Sequence, residues 1–198
     1  MAAIAIPQKP ERFFATPEEY LHYEALSSFK CEYYKGEVIA MAGGSIPHNT
    51  IVLQLLVALS IRLKGKSCKP YNNDNKVYIP QRKSYFYPDG MMACGEIVTD
   101  EKNGIVFNPK IVIEVLSPST ASFDRGEKFE AYRTLESLET YVLVSSTQVF
   151  VEVYTKKADD HWDLHLLRNI DALLSFSVID TVIPLAEIYE NVSWESEE

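Results

Sequence analysis

Residues 111–116 read Ile-Val-Ile-Glu-Val-Leu, five aliphatic side chains around a single acid at 114. An apolar run of this length reads as a strand. An ionised carboxylate in such a place leaves water at high cost unless something pairs with it. The fold must therefore bring Glu114 a partner. Two residues are placed to serve: Asp89, which follows Pro88 and opens the strand-like segment running to Cys94, and Lys128, at the start of the helix expected after Pro118. On strands, Val112, Glu114 and Leu116 share one face, and Asp89, Met91 and Ala93 share another. If those faces coincide, two carboxylates lie on neighbouring strands with an ammonium nearby. That set suits a hard cation completed by water and a substrate phosphate. The plainer reading of the same residues is a structural salt bridge from Glu114 to Lys128 or Arg125, with Asp89 ending a strand and Lys128 lying along the surface.

The chain of 198 residues is long enough for one domain with a sizeable core. We read 1–198 as a single domain, with residues 1–15 as a loose arm and 193–198 as a frayed acidic tail. Hydrophobic residues at 46% and charged residues at 24% exclude disordered and fibrous classes. A net charge of −9 argues against a protein coated in basic surface, although clustered acids in a metal site would contribute to it. Cys31, Cys68 and Cys94 are odd in number and widely spaced, which suggests reduced thiols in a cytoplasmic protein. No stretch is long and apolar enough to predict a membrane span or a signal peptide.

Thr16-Pro17-Glu18-Glu19 is a helix start, with a capping residue, a proline at the first position and acids near the positive end of the helix dipole. Lys35-Gly36 between Cys31–Tyr34 and Glu37–Met41 predicts a hairpin, with Glu32 and Glu37 on one face. Ser45 and Pro47 launch a helix from about His48 to Lys64, whose apolar residues predict packing on several sides. Further strands are expected near Val77–Ile79, Asp89–Cys94, Ile111–Leu116, Tyr141–Val144, Val149–Tyr154 and Trp162–Leu166. Residues 96–109 read as a loop. Asp124–Glu127 reads as a capping-box start of the helix carrying Phe129, Tyr132 and Leu135 on one face. In the Val149–Tyr154 strand, the face bearing Phe150, Glu152 and Tyr154 is expected to be the wetter one. The whole is an α/β fold with a mixed sheet.

His48 is a candidate for phosphate or leaving-group contact, or for a cap or a supporting position behind the metal ligands. Glu32 or Glu37 could assist the metal. His161 and His165 share a strand face without a third ligand and read as surface residues.

Taken together, Tyr87-Pro88-Asp89, Pro109 to Thr120 around Glu114, and Asp124-Arg-Gly-Glu-Lys128 with Tyr132 resemble the Uma family, within the PD-(D/E)xK nuclease superfamily. The Glu32 hairpin and the Pro47-His48 helix start add to the likeness, which covers roughly residues 17–155. The resemblance implies a restriction-endonuclease-like core: a mixed β-sheet flanked by helices, with an N-terminal helix and hairpin and a C-terminal β extension. It implies a metal-dependent endonuclease with Asp89 and Glu114 as ligands for Mg (or Mn). Leu116 stands where the superfamily motif has lysine, so the resemblance moves that role to Lys128. It places the upstream acid at Glu32, with Glu37 as competitor, and implies DNA as partner and a homodimer. The alternatives are a DNA- or protein-binding module on the same fold, or a hydrolase of another phosphoester such as RNA or a nucleotide.

Overall fold

A computed structural model of the protein describes residues 12–158 and 161–194. Along the chain run β1 (Arg12–Phe14), α1 (Pro17–Leu26), β2 (Cys31–Tyr34), β3 (Glu37–Ala40) and the long α2 (Ile46–Arg62). The strands β4 (Cys68–Asn72), β5 (Lys76–Ile79), β6 (Ser84–Phe86) and β7 (Gly90–Cys94) follow, then the short β8 (Thr99–Asp100) and β9 (Ile105–Val106). After β10 (Ile111–Leu116) comes a helical segment in three parts: α3 (Ala121–Phe123), a π-helical turn (Asp124–Lys128) and α4 (Phe129–Tyr132). The chain continues through β11 (Thr140–Ser145), β12 (Val151–Lys156), β13 (Trp162–Leu167), β14 (Leu173–Phe176), β15 (Thr181–Pro184) and α5 (Leu185–Ile188).

The central sheet has the order β13-β12-β11-β10-β7-β4 and is mixed: β10 and β11 are parallel and their neighbours antiparallel. All six residues of β10 are buried, as an apolar run without alternation requires. Ile111, Ile113 and Val115 face a core built with Ile51, Leu55 and Leu59 of α2 and with the C-terminal β14, β15 and α5. Val112 and Leu116 face a second core formed with Phe86, Phe129, Tyr132 and Leu135. Glu114 falls on that second face by strand alternation.

The other large sheet, β1-β3-β2-β6-β5-β9-β8, carries the N-terminal hairpin. Its turn residues Lys35 and Gly36 both have positive φ (50° and 88°), the backbone that a two-residue primed turn needs and that glycine adopts without strain. The helix α1 has the expected capping box, with Glu19 N donating to Thr16 Oγ1 at 3.2 Å and Thr16 N donating to Glu19 Oε2 at 2.7 Å.

Several expectations change. Arg12–Phe14, assigned to a loose arm, pair with β3; residues 1–11 and 195–198 lie outside the described residues. Trp194, in the expected frayed tail, donates from Nε1 to Ser146 O at 2.8 Å. The helix α2 packs against the central sheet and against β15 and α5, but one stripe stays open, with Leu53 63% and Ile61 67% exposed. The 96–109 loop contains β8 and β9. Asp124 does not cap a helix; it sits inside the helical segment, in the π turn. The face of β12 bearing Glu152 and Tyr154 is the wetter one, with Tyr154 half-buried against the buried Val151 and Val153, but Glu152 itself is buried and Arg125 Nε donates to it at 2.7 Å. The cysteine reading is also corrected. Cys68 and Cys94 stand opposite each other on β4 and β7, 3.9 Å apart at Cα, and form a disulfide. Cys31 stays a thiol, buried under α1. Among the described residues no helix is long and apolar enough to cross a membrane.

Candidate active site

The register of β7 against β10 pairs Ile111 with Met92, Val112 with Met91 and Ile113 with Gly90. One step further sets Asp89 across from Glu114, on a shared face of adjacent strands. Asp89 Oδ2 accepts from Val115 N at 2.7 Å and lies 3.2 Å from His48 Nε2. His48 reaches it from the first turn of α2, which Ser45 caps by accepting from His48 N. A Cβ at position 44 would fall 2.5 Å from His48 Nδ1, so glycine there leaves room for the ring. Burial pulls the imidazolium pKa down, but the hydrogen bond and charge of Asp89 more than offset this and leave it raised.

Lys128 joins the acids from the opposite layer. Its Nζ lies 2.9 Å from Glu114 Oε1, 3.0 Å from Glu32 Oε1 and 3.7 Å from Asp124 Oδ1. The π turn carries both Asp124 and Lys128 inward, and both are buried. Single π turns inside α-helices are frequent at functional sites. Tyr141 OH donates to Asp124 O at 2.9 Å and ties the turn to β11. The exposed pair Lys35–Glu127, at 2.9 Å, joins the turn to the hairpin tip but contributes little energy in water. Glu32, on β2, also accepts from Tyr87 N at 3.0 Å.

Four carboxylates, Glu32, Asp89, Glu114 and Asp124, thus share one lysine and one histidine. Burial pushes the Glu114 carboxyl well above its ordinary value; Lys128 pulls it back, while Asp124, Asp89 and Glu32 push it further up. Burial likewise raises Glu32, against the pull of Lys128. For Lys128 the order reverses: burial lowers its pKa, and the charges of Glu114, Glu32 and Asp124 outweigh that and raise it well above the ordinary value. Glu114 Oε1 is close enough to Lys128 for an ion pair but has no partner aligned for a hydrogen bond.

Apart from the Lys128 ammonium, the possible ligands are carboxylate oxygens and the His48 imidazole, and one carboxylate oxygen is left without a hydrogen bond. These residues fit a hard divalent cation. Among the described residues no three acids, histidines or cysteines already converge as a ligand group. Two carboxylates with water and phosphate satisfy magnesium without a third.

The structure therefore brings together Asp89, Glu114, Lys128, Glu32 and His48. It keeps Glu37 apart: that acid lies 3.4 Å from Arg12 at the sheet edge. Arg125, the alternative partner for Glu114, turns to Glu152 instead. Asp124 is the member of the cluster that the sequence reading missed. Its spacing of four from Lys128 was the available signal, since i and i+4 residues lie on one helical face.

A mixed sheet between helical layers, with acids on neighbouring strands and a buried lysine beside them, defines a restriction-endonuclease-like protein. The chain belongs to the Uma2 family, described as "Putative restriction endonuclease", whose profile matches residues 17–181. Two relatives are uncharacterised proteins of Synechocystis sp. The first, sll1609, is 36% identical over 82% of this chain and 92% of its own length. The second, slr1290, is 39% identical over 79% of this chain and 80% of its own. The fold is also that of the crystal structure of a "putative nuclease belonging to DUF820" from Anabaena variabilis. That structure matches at a TM-score of 0.71 and 17% identity, over 88% of this chain and 97% of the other.

Proposed function

We propose that the protein is a magnesium- or manganese-dependent endonuclease that hydrolyses phosphodiester bonds in DNA. The observation that carries this reading is the placement of Asp89 across from Glu114 with the Lys128 ammonium 2.9 Å from Glu114. A divalent cation held there by Asp89 and Glu114 would lower the pKa of a bound water and neutralise charge on the scissile phosphate. His48 and Val115 N, both on Oδ2, hold the Asp89 carboxylate in place. Glu32 keeps Lys128 over the strand ends, where its N–H groups orient the attacking water and face the charge that develops on the phosphoryl oxygens. The reading expects a homodimer, one site for each strand of the duplex; the cytoplasmic placement expected from reduced thiols loses that support with the Cys68–Cys94 bond.

A second reading, a binding module on the same fold, draws support from Lys128 itself: an internal cation already offsets Glu32 and Glu114. Cleavage of supercoiled plasmid with magnesium, manganese or EDTA, beside Asp89→Asn and Glu114→Gln, separates the two. We expect metal-dependent nicking that both substitutions reduce by at least about 100-fold. Full activity in Glu114→Gln would overturn the assignment. Absence of both cutting and calorimetric metal binding would favour the binding module.

A further inference from the structure

Beside the acid cluster, between the C-terminal end of α1, the start of β2, β5 and the turn at 101–103, lies a cleft of about 280 Å³. Of the charged side chains lining it, three are lysines, Lys30, Lys76 and Lys102, and one is an acid, Glu24. This runs against the composition of a chain with 28 acids and 19 basic residues. Lys76 is 4% exposed; it pairs with Glu24, which also accepts from Tyr87 OH. A buried pair of this kind gives no more stability than well-packed apolar side chains, so its presence asks for another reason. Lys30 donates to Asn73 O at 2.9 Å and pairs with Asp74, which stands outside the lining. The Lys30 and Lys76 ammoniums lie 5.8 and 5.3 Å from the centre of the Tyr87 ring. Lys102, at the mouth, is exposed.

The cleft and the acid cluster share a wall. Tyr87 N donates to Glu32, and Tyr87 stands two residues before Asp89, at most about 7 Å along the chain. We propose that the cleft is a phosphate-binding subsite that takes a non-scissile backbone phosphate of the strand whose neighbouring phosphate reaches Asp89 and Glu114. This rests on the nuclease reading above. Lys30 and Lys102 make the contact, and Lys76, held by Glu24, fixes the floor. Phosphate contacts of this kind set register without reading sequence.

The test is duplex binding by fluorescence anisotropy in EDTA across a range of salt, with the wild type and the Lys30→Gln/Lys102→Gln variant, and calorimetry with inorganic phosphate. Both side chains reach solvent, and an unchanged thermal midpoint checks that the variant folds. We expect affinity to fall at least about tenfold, and the slope of log K against log salt to flatten by about 1.8, two contacts at 0.9 each. Equal affinity and slope in the two proteins would overturn the subsite, and if plasmid cleavage persists the nuclease reading stands without it. Phosphate binding lost in the variant, without any duplex binding by the wild type, would keep the phosphate site and remove the nucleic-acid strand. Neither ligand binding to the wild type would remove both.

Discussion

An ammonium within 3.0 Å of two buried carboxylates cannot be taken away without leaving those charges unpaired. Lys128→Met should therefore destabilise the protein by about 3–5 kcal/mol, read as a fall in the denaturant midpoint. A loss under about 1 kcal/mol would mean that the acids carry protons rather than lean on the lysine. The titration of the cluster has a definite sign. Glu114 and Glu32 hold their protons to higher pH in the folded chain than when unfolded, so the stability those protons supply is complete below the ordinary carboxylate value and is lost as pH rises through the folded one. His48, raised by Asp89, adds stability that is complete below the ordinary imidazole value and is likewise lost above it. In EDTA, the thermal midpoint should fall as pH rises above the ordinary carboxylate values. If magnesium binds as proposed, it should oppose that fall, because it would take the deprotonated acids. A midpoint that climbs with pH in EDTA would contradict the burial of these groups.

At the scale of the element, α2 offers a sharp contrast along one helix. Leu55 is buried between α2 and the sheet, and Leu55→Ala should cost about 2–5 kcal/mol. Leu53, two residues away and largely exposed, should tolerate Leu53→Lys within about 0.5 kcal/mol. Equal losses at the two positions, by denaturant melts, would show that the outer face is also covered. The π turn gives a second contrast. A Cβ at position 126 meets nothing within 4 Å, so Gly126→Ala should be neutral or raise stability by up to about 1 kcal/mol.

Elements set by local chemistry were legible in advance: the capped start of α1, the primed turn at Lys35-Gly36 and the buried strand β10. The pairing of Asp89 with Glu114 was legible too, because period-two alternation fixes the face once the strands are neighbours. The strand β4 was hidden, since Pro70 between Lys69 and Asn72 breaks the apolar pattern, and its edge position is what tolerates the proline. The π turn was hidden for another reason: α- and π-helical turns share their residue preferences and differ only in which carbonyl each N–H finds. Arg62, whose Nη2 reaches Glu187 Oε2 at 2.6 Å, could be paired only through contacts across 125 residues.

For the molecule as a whole, the Cys68–Cys94 bond joins an edge strand to the strand that Asp89 precedes, at the end of β7 away from the site. Alkylation of the unfolded, unreduced chain should label Cys31 and leave the other two cysteines unmodified, as seen by intact mass. Labelling of all three would show that β4 is held by its backbone ladder alone. Closing a loop across a separation of 26 residues constrains the unfolded chain, and reduction should lower stability by about 3–4 kcal/mol.

Lys128 has a consequence for how the protein comes into being. The charge that offsets Glu32 and Glu114 is encoded in the chain, so the core can close during synthesis without waiting for an ion. If a metal binds there as proposed, a molecule made without it should reach the same folded form as one made with it. On the nuclease reading proposed above, ion supply would act on a chain that has already folded.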